Sequence, residues 1–189
     1  VSIHKEEKGV KTPLSATFEL CTRYANGTVK VLDTGTTDAN GNLTFSRKIV
    51  FADGVCNTSS YFVREKEAPA GYVLDTTEYP VSCTQDNQMV SVTVENAPIL
   101  GSVELRKQSS AGEAMKGVKF LLEYSLDGKI WTPVTKRDNN DTIVPGSCIS
   151  GSLGEDGTLT TDSSGIACFE GLRVFTAEGK AIRYRVTEL

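Results

Sequence analysis

Apolar and polar residues alternate in short runs along this chain of 189 residues. Apolar side chains at every second position are typical of β-strands that bury one face. The runs predict strands at 1–7, 16–24, 28–32, 43–45, 61–66, 72–74, 90–96, 102–107, 118–124, 129–134, 166–169 and 182–188. Asn-Gly and Asp-Gly pairs between some of these runs predict tight turns, and no stretch has useful helical periodicity. The pattern therefore predicts an all-β protein built as a sandwich or barrel.

Three sequence landmarks occur twice, in the same order. The first is V-x-I/L-x-K, at 1–5 and again 102 residues later at 103–107. The second is T-D-x-x-G-x-x-x-F, at 37–45 and 124 residues later at 161–169. The third is Y-x-V-x-E, at 61–65 and 123 residues later at 184–188. An ordered repeat of this kind predicts two copies of one module. The Ala97-Pro98 break places the boundary, which gives domains at 1–98 and 99–189. The larger second offset predicts an insertion in the second copy, and the polar stretch 138–158 is the natural place for it.

Three polar side chains of the first copy continue apolar stripes, and so face the predicted core: Lys5, Glu65 and Asn96. Each alone could reach solvent just past the core edge, as lysine readily does. Together they suggest chemistry, because burial favours a neutral amine, which is a nucleophile, and a protonated acid, which can shuttle protons. Attack of Lys5 on the side-chain amide of Asn96, with Glu65 polarising the amide carbonyl, would release ammonia and leave an isopeptide bond. Glu67 is the rival acid if the strand continues.

The segment YFVREKEAPAGY at 61–72 resembles the E-box of CnaB-type domains, which occur in Gram-positive surface adhesins and sortase-assembled pilins. The resemblance covers the Tyr, Glu, Ala-Pro, Gly and Tyr positions. It implies an Ig-like, prealbumin-like β-sandwich with an internal Lys–Asn or Lys–Asp isopeptide bond, assisted by the E-box acid. Carried over to this chain, Lys5 is the nucleophile, Asn96 the electrophile and Glu65 the catalyst. No cofactor is implied.

The second copy resembles the same family only in part. Lys107 and Glu188 correspond to the amine and the acid, but only Leu189 follows. We therefore expect two tandem β-sandwich domains, of which the second is truncated and lacks its C-terminal strand or strands. The Asn and Asp residues at 139–141 lie in the predicted insertion and are poor candidates for the missing acceptor. We expect the chain to be a fragment, its second domain completed by later residues or by another chain.

The five cysteines include no C-x-x-C pair, and the single histidine, His4, is far from all of them in sequence. A zinc site normally needs tighter ligand spacing, so no metal site is predicted. Pairings within one module favour disulfides Cys56–Cys83 and Cys148–Cys168, with one thiol left over. Sequence spacing alone does not determine this connectivity.

The charge pattern excludes several classes of function. The net charge is −4 and no Lys/Arg cluster occurs, so nucleic acid and anionic membranes are poor partners. The longest apolar runs are far too short to insert into a bilayer. Because no Ser/His/Asp or Cys/His arrangement is apparent, we expect no turnover enzyme, only a single autocatalytic cross-link.

The leading hypothesis is a structural stalk or backbone segment of a Gram-positive surface adhesin or pilin, located extracellularly at the cell wall. Its partners would be neighbouring domains or subunits of the same surface protein or pilus. The alternative is a ligand-binding adhesin module that recognises host matrix or another surface partner through loops, with 138–158 as the candidate loop. That segment carries no aromatic anchor of the kind that interfaces favour.

Overall fold

The computed structural model describes residues 1–49, 60–83, 85, 87–135, 147–176 and 178–189. These residues form two compact units, Val1–Pro98 and Ile99–Leu189. Every regular element in the described residues is a β-strand, which confirms the all-β fold class. In the same residues no helix is long and apolar enough to cross a membrane.

The first unit is a sandwich of two sheets. Its strands are β1 (Ser2–Glu7), β2 (Thr17–Arg23), β3 (Val29–Thr36), β4 (Asn42–Thr44), β5 (Tyr61–Glu67), β6 (Tyr79–Pro80) and β7 (Ser91–Asn96). One sheet has the order β4-β1-β7 and the other β3-β2-β5-β6. Apolar side chains from both sheets, including Ile3, Val94, Phe18, Leu20 and Val63, are buried in one core between them.

The strands β1 and β7 are parallel neighbours, although they lie at opposite ends of the first unit in sequence. Their register places Lys5 opposite Val94 and Glu7 opposite Asn96. Residues directly paired across two strands share a face of the sheet, and that face alternates along each strand. Lys5, Glu7 and Asn96 therefore all point towards the interior of the sandwich.

The strand predicted at 72–74 does not form. Instead of a ladder, Tyr72 has an isolated β-bridge to Pro98, and the N–H of Val73 donates to the carbonyl of Ala97 at 2.9 Å. The preceding turn contains Gly71 in the left-handed region, with φ of 86°. This turn directs the chain into a loop over the end of β7 instead of into a second ladder.

The second unit repeats the arrangement of the first. Its strands are β8 (Leu100–Arg106), β9 (Lys119–Ser125), β10 (Thr132–Pro133), β11 (Ser147–Ser150), β12 (Ser152–Leu153), β13 (Thr158–Thr160), β14 (Ile166–Arg173) and β15 (Arg183–Glu188). One sheet has the order β11-β14-β8; in the other, β9 pairs with β10, β13 and β15, and β12 pairs with β13. By these pairings, β8, β9, β13, β14 and β15 correspond to β1, β2, β3, β4 and β5. Among the described residues, no strand beside β8 takes the place that β7 has beside β1.

The insertion predicted at 138–158 is not a loop in its described part, which starts at Ser147, and residues 138–146 lie outside the described residues. Strands β10, β11 and β12 lie between β9 and β13 and have no counterpart between β2 and β3, so an insertion at this place stays the prediction. From Ser147 the chain forms β11 and β12, and Leu153 is buried in the core of the second unit. Only alternate positions of such strands need to be apolar, because the other face meets solvent. The high overall polarity of the segment concealed this alternation.

The predicted disulfide between Cys148 and Cys168 is also wrong, because Cys168 is a free cysteine. Cys148 is paired with Phe169 across β11 and β14, and it packs with that ring against the core. Cys168 precedes Phe169 on its strand and so points to the opposite face, away from Cys148. A disulfide requires the two Cβ atoms to face each other. The pairing Cys56–Cys83 stays a prediction, because Cys56 lies outside the described residues.

Candidate functional site

The main chain of Lys5 is held on both sides by turns. Its N–H donates to the carbonyl of Gly41 at 2.7 Å, and its own carbonyl accepts the N–H of Leu14 at 3.0 Å. Gly41 has a φ of 75°, a region that favours glycine. The carboxylate of Asp38 closes this turn by accepting, at 2.9 Å each, the N–H groups two and four residues ahead of it.

The second unit holds Lys107 in the same way. The N–H of Lys107 donates to the carbonyl of Gly165 at 2.8 Å, and its carbonyl accepts the N–H of Met115 at 3.1 Å. Gly165 has a φ of 72°, and Asp162 accepts the N–H groups two and four residues ahead. The repeated T-D-x-x-G-x-x-x-F landmark is thus the turn that positions the lysine-bearing strand.

The side chains of Lys5, Glu65 and Asn96 meet between the two sheets of the first unit. Lys5 and Asn96 come from β1 and β7, whereas Glu65 comes from β5 in the facing sheet. The ammonium nitrogen of Lys5 donates a hydrogen bond to Asn96 Oδ1 and lies 3.5 Å from Glu65 Oε1. Asn96 Nδ2 donates to Glu65 Oε1 at 3.0 Å and to Oε2 at 2.9 Å. The three residues are 0%, 5% and 1% exposed.

Burial changes the acid–base behaviour of the lysine. Loss of hydration lowers the pKa of Lys5 from its ordinary value of 10.5, although the neighbouring Glu65 carboxylate acts in the opposite direction. Desolvation outweighs the ion pair because the charged amine has exchanged bulk water for few protein partners. The neutral, nucleophilic amine is therefore more accessible here than on a lysine in solvent.

The structure corrects one detail of the predicted chemistry. Glu65 was expected to polarise the carbonyl of Asn96, but its carboxylate contacts the amide nitrogen Nδ2 instead. The carbonyl oxygen faces Lys5. This orientation places the acid against the atom that would leave as ammonia, where a proton is needed.

The rival acid, Glu67, is exposed and lies away from the site. In the pairing of β5 with β2, Glu65 is opposite Phe18 and Glu67 is opposite Thr17, so β5 has one extra residue at this point. Such a bulge breaks the simple alternation of faces. His4 likewise points outward, where its Nδ1 lies 2.9 Å from Asn42 Oδ1.

Sequence reasoning missed two polar contacts around the site. Glu7 is buried and accepts a hydrogen bond from the hydroxyl of Tyr72 at 2.7 Å, which ties the end of the E-box-like segment to β1. Glu7 is the next inward position after Lys5, so the alternation could have revealed it. The other contact is the backbone N–H of Asp75, which donates to Glu65 Oε2 at 2.8 Å. No sequence pattern indicates a contact made by a loop amide.

The corresponding pair in the second unit is more open. Lys107 Nζ lies 2.7 Å from Glu188 Oε1, but the two side chains are 30% and 48% exposed, against 0% for both Lys5 and Glu65. In the described part of this unit, no amide side chain takes the position that Asn96 has in the first. The candidate acceptors at 139–141 lie outside the described residues.

Comparisons with known proteins give one family match and several structural likenesses. The model of the SpaA prealbumin-like fold domain matches residues 1–98. The Bacillus anthracis TIE protein resembles the chain with a TM-score of 0.59 and 16% identity, over 100% of this chain and 28% of that one. A streptococcal ancillary pilin has a TM-score of 0.41 and 20% identity, and the match covers 100% of this chain and 52% of the pilin. The shaft pilin SpaA from Lactobacillus rhamnosus GG has a TM-score of 0.41 and 18% identity, and the match covers 100% of this chain and 86% of that pilin. A comparison with curated protein sequences found no match.

The likeness to the TIE protein shows a shared fold. The chain spans only 28% of the TIE protein and 52% of the ancillary pilin. The family match is more specific, because it covers the whole of the first unit and more than half of the chain. The chain therefore belongs to the family of SpaA prealbumin-like fold domains.

Proposed function

We propose that the first unit cross-links itself through an isopeptide bond between Lys5 Nζ and Asn96 Cγ, with Glu65 as the proton-transfer catalyst. The observation that carries this proposal is the buried contact of an amine, a carboxylate and an amide between two sheets. Burying two ionisable groups is costly, so their presence in a core points to a function as well as to pairing.

The reaction balances without a cofactor or a second protein. The neutral amine of Lys5 attacks Cγ of Asn96, an Nζ–Cγ bond forms, and the Cγ–Nδ2 bond breaks. Glu65 transfers the proton lost by the attacking nitrogen to Nδ2, which leaves as ammonia. The packed core supplies proximity and excludes water that would compete as a nucleophile. Each molecule reacts once, so the unit is not a turnover enzyme.

The position of the bond favours a mechanical role. Lys5 and Asn96 are 91 residues apart and lie on adjacent parallel strands at the two ends of the unit. Tension applied along the chain would pass from β1 to β7 through a covalent bond, and the strands between them would carry little load. We therefore assign the chain to an extracellular stalk or backbone segment of a Gram-positive surface adhesin or pilin. Its partners would be neighbouring domains or subunits.

The alternative of a ligand-binding module has less support. It relied on a long loop at 138–158, and the described part of that segment belongs to the sheets from Ser147 onward. A binding function through that part would need the outer face of short strands instead of a projecting loop.

Intact-mass measurement under reducing conditions tests the proposal. We expect the folded chain to be lighter than its sequence mass by about 17 Da, because the condensation releases ammonia. Lys5→Arg, Glu65→Gln and Asn96→Ala should each restore the full mass, whereas the control Lys107→Arg should keep the loss. Peptide mapping should then find the segments of Lys5 and Asn96 joined. A folded wild-type chain of full sequence mass would overturn the proposal.

A further inference from the structure

Glu65 receives one further hydrogen bond, and it comes from the loop that follows the E-box-like segment. The backbone N–H of Asp75 donates to Glu65 Oε2 at 2.8 Å, on the oxygen that also accepts from Asn96 Nδ2. We infer that Asp75 and Tyr79 form a positioning device that aims this N–H at Glu65 and so orients the acid towards Asn96. This inference rests on the proposed cross-linking reaction.

The side chain of Asp75 fixes the conformation of its own loop. Its Oδ1 accepts the N–H of Thr77 at 2.9 Å, and its Oδ2 accepts the hydroxyl of Tyr79 at 2.5 Å. A carboxylate that bonds to the backbone two residues ahead makes a tight turn. With both oxygens engaged, the Asp75 N–H is held in one direction.

The contact through Tyr79 connects the loop back to the strand that carries Glu65. Tyr79 lies in β6 and is paired with Val63 of β5, two residues before Glu65. The path from Glu65 to Asp75, on to Tyr79, and through the ladder to Val63 is therefore a closed ring. A ring of this kind transmits the geometry of β5 directly to the N–H donor, so the acid and its donor move together.

The charges of the ring suit this role. Burial alone would raise the pKa of Asp75, but hydrogen bonds from Thr77 and Tyr79, with the charge of Lys5, hold it below its ordinary range. Burial and the adjacent carboxylate raise the pKa of Tyr79 to about 12. Asp75 therefore remains an acceptor and Tyr79 a donor throughout the neutral range, and the ring stays closed.

The ring also lies between the site and solvent. Asp75 and Tyr79 line an open surface groove together with Val73 and Leu74. The Glu65 side chain behind them is 0% exposed. A ring that opened would admit water to the carboxylate, and water would compete for the hydrogen bonds that orient it.

The test is the rate of ammonia loss after refolding. Unfolded, uncross-linked full-length chain, isolated in denaturant from inclusion bodies, is diluted into buffer, quenched at intervals and weighed. We expect Tyr79→Phe and Asp75→Ala to slow the reaction by about tenfold or more, since small misplacements of reacting groups carry such costs. Asp75→Asn should restore a rate near that of the wild type, because an amide can still bond to Thr77 and to the Tyr79 hydroxyl. Tyr24→Phe, at an exposed tyrosine of the same unit, is the matched control.

Two further measurements separate positioning from mere stabilisation. The double variant Asp75→Ala/Tyr79→Phe should be no slower than Asp75→Ala, because Tyr79 acts through Asp75. Unfolding of Tyr79→Phe in a Lys5→Met background, where no bond forms, should show only a small loss of stability. Unchanged rates in both single variants, or multiplicative slowing in the double variant, would overturn the inference about Asp75 and Tyr79. The proposed function would still stand in that case, provided that the wild-type chain loses ammonia. Absence of that loss in the wild type would overturn both.

Discussion

The carbonyl of Gly41 accepts the main-chain N–H of Lys5 at 2.7 Å, and a Cβ atom at Gly41 would overlap the carbonyl oxygen of Lys5. The two residues therefore meet so closely that only glycine fits. This contact fixes the position of the Lys5 main chain next to the turn, and it therefore fixes where the lysine side chain starts its path towards Asn96. The equivalent contact between Gly165 and Lys107 shows that both units use it.

The first prediction concerns this contact. Gly41→Ala should lower the free energy of unfolding of the first unit by about 1–3 kcal/mol more than Gly27→Ala, because it adds an overlap to the backbone strain. Gly27 is the matched control, since it also has a positive φ, of 84°, but nothing lies within 4 Å of an added Cβ. Denaturant unfolding in a Lys5→Met background gives the comparison. Equal losses in the two variants would contradict the close approach.

The second prediction separates the two candidate acids. Glu65→Gln should abolish the loss of ammonia, because a glutamine side chain cannot transfer the proton from Lys5 to Asn96 Nδ2. Glu67→Gln should leave the loss complete, because Glu67 is exposed and the bulge in β5 removes it from the inner face. Intact mass of the two purified variants decides between them. A complete cross-link in Glu65→Gln would show that the acid is dispensable.

The third prediction concerns pH. Burial lowers the pKa of Lys5, so its amine loses the proton at a lower pH than a lysine in solvent. Below that pKa the side chain is a protonated ammonium with no lone pair, and above it the attacking amine is present. The rate of ammonia loss on refolding should therefore rise from acidic to mildly alkaline buffer. Quenched mass measurements over that range test the sign, which a rate falling steadily with pH would refute.

The fourth prediction distinguishes the two lysines. The intact chain should lose one ammonia and not two, because the described part of the second unit places no amide beside Lys107. Lys107 should also react with a soluble amine-acylating reagent, since its side chain is 30% exposed, whereas Lys5, at 0%, should not. Peptide mapping after labelling reports both sites. A labelled Lys5 in the wild-type chain would count against its cross-link.

The fifth prediction is the contribution of the bond to stability. Lys5→Met removes the cross-link but leaves the hydrogen bonds between Asn96 and Glu65 in place. Closing a loop of 91 residues restricts the unfolded chain, and the chain-entropy model gives about 4–5 kcal/mol for this length. Thermal and denaturant unfolding of the first unit should show a loss of this order. An unchanged midpoint would mean that no bond constrains the wild-type chain.

Much of the site was predictable from local sequence. In a strand, every second side chain points the same way, so the stripes ending in Lys5, Glu65 and Asn96 already placed an amine, an acid and an amide on inward faces. Their burial agrees with those stripes. The repeated landmarks similarly indicated two related modules, because turns such as the one at Asp38 are built from contacts within a few residues.

Other features depended on contacts between residues far apart in sequence. The bulge that excludes Glu67, the opposite faces of Cys148 and Cys168, and the loop amide of Asp75 all follow from strand register or loop position. Periodicity determines which side of a strand a residue occupies, and it did so here for Lys5, Glu65 and Asn96. Only the packing of the two sheets decided which atoms meet, because hydrogen-bond partners across a sandwich depend on register, bulges and loops that no local pattern encodes.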